Sequence, residues 1–364
     1  CRSSRSTVNM YGRDDQRPRV TRRGFLAGTI AAALAACTGD DDASTTTSST
    51  GSTSTTSSSS PTSSSTTTSS TSSTTSTTTT TVASPITSDP FTLGVSSGDP
   101  LADSVILWTR LLPTDPLPDE DIEVEWEVAT DEEMTDVVAT GTGIAVAALG
   151  HSVHVDASGL EPDTRYHYRF RAGEFATEPA RTRTFAASGT TPERFRFAFS
   201  SCQNWEQGYY TAYRDLVEQG DLDAFVFLGD YIYEYASGGY ADPRGRETGQ
   251  DFECVTVDQY RARYELYLSD PLLRQAHGYV PWIITWDDHE VDNDYAGASS
   301  EGDDAVDAFL ERRAAGYQVW YEHMPVRLDP PTGPDYPIYR SFAHGDLLRF
   351  HVLDTRQYLS LIHI

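Results

Sequence analysis

From residue 44 to residue 81 the chain is serine and threonine, interrupted only by Gly51 and Pro61. A stretch without large apolar side chains cannot bury enough surface to offset the entropy of ordering it, so no core forms there. The tract divides the chain into a short leader and a body, and any packed domain must be built from residues beyond 81. With its flanks it reads as a disordered stalk over 37–87, open to O-glycosylation.

The leader, 1–36, has the pattern of an address. Arg22 and Arg23 precede a modest apolar run, Leu26–Ala36, as in a twin-arginine (Tat) export signal. The run is too short to span a bilayer. It ends Leu34, Ala35, Ala36, Cys37, which resembles a bacterial lipobox and makes Cys37 the lipidated first residue of the mature chain. Cleavage with Cys37 incidental is the alternative. The expected partners here are the Tat machinery and the membrane, and the expected location is the cell envelope or outside. Met10 offers a start, and Leu359–Ile364 resemble the translation of a transposase sequencing adapter. The expectation is therefore a truncated reading frame with an artefact at 359–364.

The formal net charge is −27. A surface this acidic argues against a nucleic-acid-binding module. It also repels anionic substrates at long range, so an anion site would need local positive charge, most cheaply from metal ions. A salty habitat or base composition would produce the same balance. Two of the four cysteines, Cys202 and Cys254, lie in the body. They could pair in an exported protein, but Cys202 ends an apolar run beside other ligand types, which favours a metal role.

Two grammars succeed the stalk. Residues 88–187 show short alternating strands such as Val105–Trp108 and Ile122–Val128. Gly159–Phe170 carries a Leu-x-Pro turn before a strand with Tyr166, Tyr168 and Phe170 on one face. This resembles the tyrosine corner of immunoglobulin and fibronectin type III sandwiches, so an all-β sandwich is expected. His151, His154 and His167 are scattered on it without carboxylates nearby and read as packing or surface residues. From residue 192 to 358 strands alternate with helices: strands at 194–200, 223–228, 279–285 and 347–353, helices at 209–218, 257–268 and 303–321. That predicts an α/β domain whose sheet is buried on both faces, with ligand groups gathered at strand ends.

Three such ends carry chemistry. Phe199–Cys202 ends with a thiol. Gly229 and Asp230 follow Phe225–Leu228, and an Asp there can bridge two metals or simply cap the next element. Tyr233 comes three residues later; a phenolate suits Fe(III), although an isolated tyrosine is commonly a packed aromatic. Asp287, Asp288, His289 and Glu290 follow Val280–Thr285. Asp288 is the expected metal ligand, and His289 would stabilise the phosphoryl group or protonate a leaving group. Asp292 and Asn293 could serve a calcium-like ion, or the segment could be a solvated acidic loop. Arg356 could clamp phosphate oxygens or pair with Asp354.

Together, Ser200–Gln203, Gly229–Glu234, Trp286–Asn293 and Leu353–Tyr358 resemble PhoD-type alkaline phosphatases, as do Tyr260–Tyr264 and Ser269–Pro271. The resemblance covers about 88 to 358. It implies a calcineurin-like metallophosphoesterase domain of layered β-sheets flanked by helices, following the sandwich and incomplete at its C-terminus. It implies Fe(III) and Ca(II), held by Cys202, Asp230, Tyr233, Asp288 and more weakly Asn293, with His289 and Arg356 catalytic. The implied reaction is hydrolysis of phosphate monoesters and diesters at alkaline pH by in-line attack of a metal-activated water, for phosphate scavenging. The chain departs from the family in one respect: a downstream Gly-Asp-x-His motif is expected after Arg356 and is absent, and His344 and His351 are poor substitutes. A fragment ending here is therefore expected to be inactive. Competing readings are a phospholipase D-like phosphodiesterase on the same scaffold and, outside enzymes, a surface-tethered binding module.

Overall fold

The computed structural model describes residues 85–360 except 241 and 303. The twin-arginine segment, Cys37, the Ser/Thr tract and residues 361–364 lie outside the described residues. The elements run β1 (Val95–Gly98), β2 (Ser104–Arg110), β3 (Ile122–Ala129), β4 (Val137–Ala145), β5 (Ser152–Ser158), β6 (Arg165–Ala172), β7 (Phe175–Ala176) and β8 (Ala180–Arg183). After these come β9 (Phe197–Ser200), α1 (Thr211–Gln219), β10 (Ala224–Phe227), α2 (Val257–Leu268), α3 (Pro271–His277), β11 (Trp282–Ile284), α4 (Val306–His323), β12 (Arg340–His344) and β13 (Leu348–Val352).

Period-2 patterning produces two facing sheets in the first region. One has the order β4-β3-β6-β7, with β8 also on β6. Its inward residues Val124, Val128, Tyr168 and Phe170 share a core with Val105 and Leu107 of β2 and with Val153 and Val155 of β5. The turn before β6 is closed by Tyr166, whose phenol oxygen accepts the Glu161 N–H at 2.9 Å. His154 stacks on Tyr321 with ring centroids 4.3 Å apart, which makes it a packing residue.

The second sheet continues past the sandwich. Its order is β5-β2-β1-β11-β10-β9, so the two sequence regions share one six-stranded sheet. The join is a parallel contact of β1 with β11 at Gly98 and Trp282. A Cβ on Gly98 would lie 2.2 Å from the Pro325 carbonyl oxygen, so only glycine lets the chains approach this closely. Beyond it, Arg340 donates to both carboxylate oxygens of buried Asp99, at 2.8 and 2.9 Å, tying β12 to the end of β1.

Different layers cover the two faces of the sheet. On one face α1 packs, with Tyr213 against Phe225 and Trp282. On the other lies the separate β12–β13 hairpin, whose Phe342 and Val352 meet Ala224 and Ile283. A hairpin covers less surface than a helix layer, and β9 is the edge strand, so Phe199 is 58% exposed and Leu228 and Leu353 are exposed too.

Two of the helices, α2 and α3, begin at side-chain caps, whereas α1 and α4 begin without one. Thr256 and Gln259 form a reciprocal capping box on α2, and Asp270 caps α3 ahead of Pro271 at its first turn. Behind the strand ends an aromatic core supports the loops. Trp286 lies flat on Tyr317 of α4, centroids 4.1 Å apart, and both are fully buried.

Candidate metal centre

Strands β9, β10 and β11 are parallel neighbours, so their C-terminal ends release three loops on the same edge. The ladder continues one step into the loops: Cys202 N–H donates to Gly229 O and Gln203 N–H to Asp230 O, both at 3.1 Å. Gly229 is needed where it stands, with φ 107° and the Asp287 nitrogen 2.3 Å from where a Cβ would be. Buried Glu290 joins the second and third loops by accepting the N–H groups of Tyr231 at 2.6 Å and Asp287 at 2.9 Å. Buried Arg263 of α2 donates to the Tyr233 carbonyl.

This framework brings Asp230, Asp288 and His289 together with one ligand atom of each within 4.8 Å of the others, the one such group among the described residues. Cys202 and Tyr233 adjoin it, with Sγ 3.1 Å and the phenol oxygen 3.3 Å from Asp230 Oδ2. Asp230 Oδ1 is buried without a hydrogen-bond partner. An orphaned buried carboxylate oxygen is costly unless a cation meets it. Burial pushes the Cys202 thiol up to about 11 and raises the Tyr233 phenol and the Asp230 carboxyl above their ordinary values. A bound cation reverses that order by favouring thiolate, phenolate and carboxylate. The donor set of sulfur, phenol and carboxylate fits a hard, highly charged ion that tolerates thiolate, as iron does.

His289 is positioned by a residue outside the expected set. Fully buried Glu234 meets Nδ1 at 2.8 Å and accepts the Asn293 N–H at 2.7 Å. That contact occupies Nδ1 and leaves Nε2 as the ring nitrogen not engaged by Glu234. Burial alone would lower the His289 pKa, but the Glu234 hydrogen bond and the charges of Glu234, Asp230 and Asp288 outweigh it and raise the group to about 9. Glu234 stands next to Tyr233 in the motif; a carboxylate in an otherwise apolar and aromatic run was the available signal.

Other expected residues are placed differently. Asn293 donates its amide to Glu301 at 2.8 Å, which leaves its carbonyl oxygen as the atom it could offer a cation. Asp292 pairs with Arg312 at 2.9 Å and is used structurally. Arg356 does not pair with the Asp354 side chain, which instead accepts the backbone N–H of Arg356 and of Gln357. Its guanidinium binds Asp287 and reaches Asp288 at 3.0 Å, at the rim of the cluster. Cys202 and Cys254 are both free, so they do not form a disulfide. His344 is buried between Phe185 and Phe195, and His351 is exposed on β13; neither enters the cluster.

A family model described as PhoD-like phosphatase matches residues 197–363, and one described as PhoD-like phosphatase, N-terminal domain, matches 73–186. The chain is 50% identical over 279 residues to alkaline phosphatase D of Bacillus subtilis (strain 168), covering 75% of this chain and 48% of that protein. A solved structure titled "Structure of PhoD" superposes with a TM-score of 0.73 at 48% identity, covering 75% of this chain and 53% of that one. The chain thus spans about half the length of these relatives. Two matched models of one family and a relative 50% identical over 279 residues place the chain in the PhoD-like phosphatase family.

Proposed function

We propose that the protein hydrolyses phosphate monoesters and diesters at a centre holding Fe(III) and Ca(II). The observation that carries this reading is the buried, unpartnered oxygen of Asp230 inside the Asp230, Asp288 and His289 group. Cys202, Tyr233 and Asp230 would hold the iron, and Asp288, Asp230 and Asn293 the calcium. Ions there would supply positive charge to the phosphoryl oxygens and make a water nucleophilic near neutral pH. An anionic substrate otherwise meets a chain of net charge −27.

The chain's own groups have separate roles. His289, held by Glu234, gives a proton to the departing ester oxygen. Arg356 brings a fork of donors to the phosphate once substrate competes with its acidic partners.

The test is Asp230→Asn in the full chain, assayed with a chromogenic phosphate diester and checked for folding by circular dichroism. We expect turnover to fall on the order of 10³-fold or more, as for loss of a central electrostatic group. Retained turnover refutes the bridging role, and a purified protein with neither iron nor calcium favours a binding module instead.

Export by Tat and lipid anchoring at Cys37 complete the proposal, supported by Arg22, Arg23 and the Leu34–Cys37 box, with phosphate scavenging outside the cytoplasm as the role. Lysine at both arginine positions should keep the protein in the cytoplasm, and Cys37→Ala should release it from the membrane fraction. Unchanged fractionation of both variants refutes the address.

A further inference from the structure

An exposed aromatic wall borders the cluster, and neither metal binding nor proton transfer accounts for it. Tyr240 is 48% exposed. Its ring nonetheless packs on two residues of the centre, with centroids 5.1 Å from His289 at an interplanar angle of 85° and 5.0 Å from Tyr233. Tyr235 extends the wall 5.6 Å further, with its hydroxyl donating to Glu301 at 2.8 Å. This half-exposed tyrosine stands directly beside the proposed proton donor, where an incoming group could reach it.

The loop that carries Tyr240 is held in place from below. The buried carboxylate of Glu206 accepts from Ser237 Oγ at 2.7 Å, Gly238 N–H at 2.9 Å and Thr248 N–H at 3.1 Å. Gly238 takes the left-handed conformation, φ 72°, that the turn requires. Arg246 lies over Trp205 at 3.5 Å and bonds Asp270 at 2.7 Å, fastening the far side of the same loop. A carboxylate buried to organise a surface loop fixes the wall before any ligand arrives, so little entropy is lost when one packs on it.

We infer that Tyr240 is a specificity-determining residue that receives the leaving group of the ester and favours a planar, aromatic one. The inference rests on the phosphate-ester function proposed for this centre. If His289 protonates the leaving oxygen, the group attached to that oxygen departs on the His289 side, where Tyr240 is the exposed surface. Offset or edge contact between rings then adds to the affinity for an aromatic substituent and gives a small alkyl group almost nothing.

The experiment measures binding by calorimetry of phenylphosphonate and methylphosphonate to the full chain purified with its metals. Wild type should bind the phenyl compound roughly three- to tenfold more tightly, the range that an aromatic pair supplies. Tyr240→Ala should bring the ratio towards one with methylphosphonate affinity little changed, while Tyr240→Phe keeps the preference. Glu206→Gln, which leaves the ring intact and loosens its loop, should lower the ratio in part. A ratio unchanged by Tyr240→Ala, or absent in wild type, overturns the inference. Failure of both phosphonates to bind at all sinks the phosphate-ester function itself.

Discussion

Cys202 and Asp230 lie side by side at the ends of adjacent parallel strands, Sγ 3.1 Å from Oδ2, and both hold left-handed backbone with φ of 60° and 58°. Left-handed conformation costs a residue with a Cβ about 1–2 kcal/mol. Two such residues in contact mean that the fold keeps local strain to aim a thiol and a carboxylate at one point, as functional sites commonly do.

Removing that strain should separate stability from metal binding. Cys202→Gly is expected to leave the metal-free protein as stable as wild type or about 1 kcal/mol more stable, while iron content falls sharply. Urea unfolding after chelation and elemental analysis of the purified protein measure the two effects. A variant that keeps its iron counts against the thiolate ligand.

Tyr233 gives an optical test. A phenolate on Fe(III) produces a visible charge-transfer band, so Tyr233→Phe should remove the colour from iron-loaded protein without unfolding it. An unchanged spectrum would mean that the phenol 3.3 Å from Asp230 is only packed there.

Glu234 is a positioning residue for His289. Glu234→Gln should slow hydrolysis about 10- to 100-fold, as for other partners that orient site groups, with metal content preserved. The loss should be larger for alkyl esters than for p-nitrophenyl esters, since a poor leaving group needs the proton more. An equal loss on both substrates points to a merely structural role.

Buried His277 supplies a pH dependence away from the centre. It bonds Ser96 Oγ at 2.8 Å and Tyr231 OH at 2.7 Å and stacks on Trp282, all uncharged partners. Burial pushes its pKa from 6.5 down to about 3. Between those values the unfolded chain binds a proton that the folded chain refuses, so this stability is full above 6.5 and is lost as pH falls towards 3. The contribution changes by about 1.4 kcal/mol per pH unit. His277→Asn should flatten the slope of urea midpoints across this window, and parallel slopes would contradict it.

Trp286 links the third loop to α4 through its stack on Tyr317. Trp286→Ala should cost about 3–5 kcal/mol, the range for emptying a buried aromatic site. Denaturant unfolding of metal-free protein measures it; a cost under about 1 kcal/mol would show that the core collapses to fill the space.

Much of the fold is legible in the chain order because it rests on local physics. Helix α2 runs over the expected 257–268 because Thr256 and Gln259 can cap only that start. Helix α3 is not legible in the same way. Asp270 before Pro271 is a start signal, but seven residues give too little periodicity to read. The strand-end grouping of Cys202, Asp230, Tyr233, Asp288 and His289 is readable since each follows an apolar run in a parallel sheet. Glu234 stands out as a carboxylate in an apolar and aromatic run but shows its partner only after folding, and Glu206, isolated in the chain, carries no pattern at all.

Local pattern sets the alternation of strands, the change of grammar near residue 190 and the ligand-type side chains that stand at the strand ends, all fixed by neighbours within a few positions. Long-range packing sets the rest: the sandwich lends β1, β2 and β5 to the same sheet as the site, Arg356 faces Asp287 and Asp288, and a hairpin lies on the outer face of the sheet. These outcomes join residues far apart in the chain. They depend on close approach and charge pairing in three dimensions, which no local pattern records.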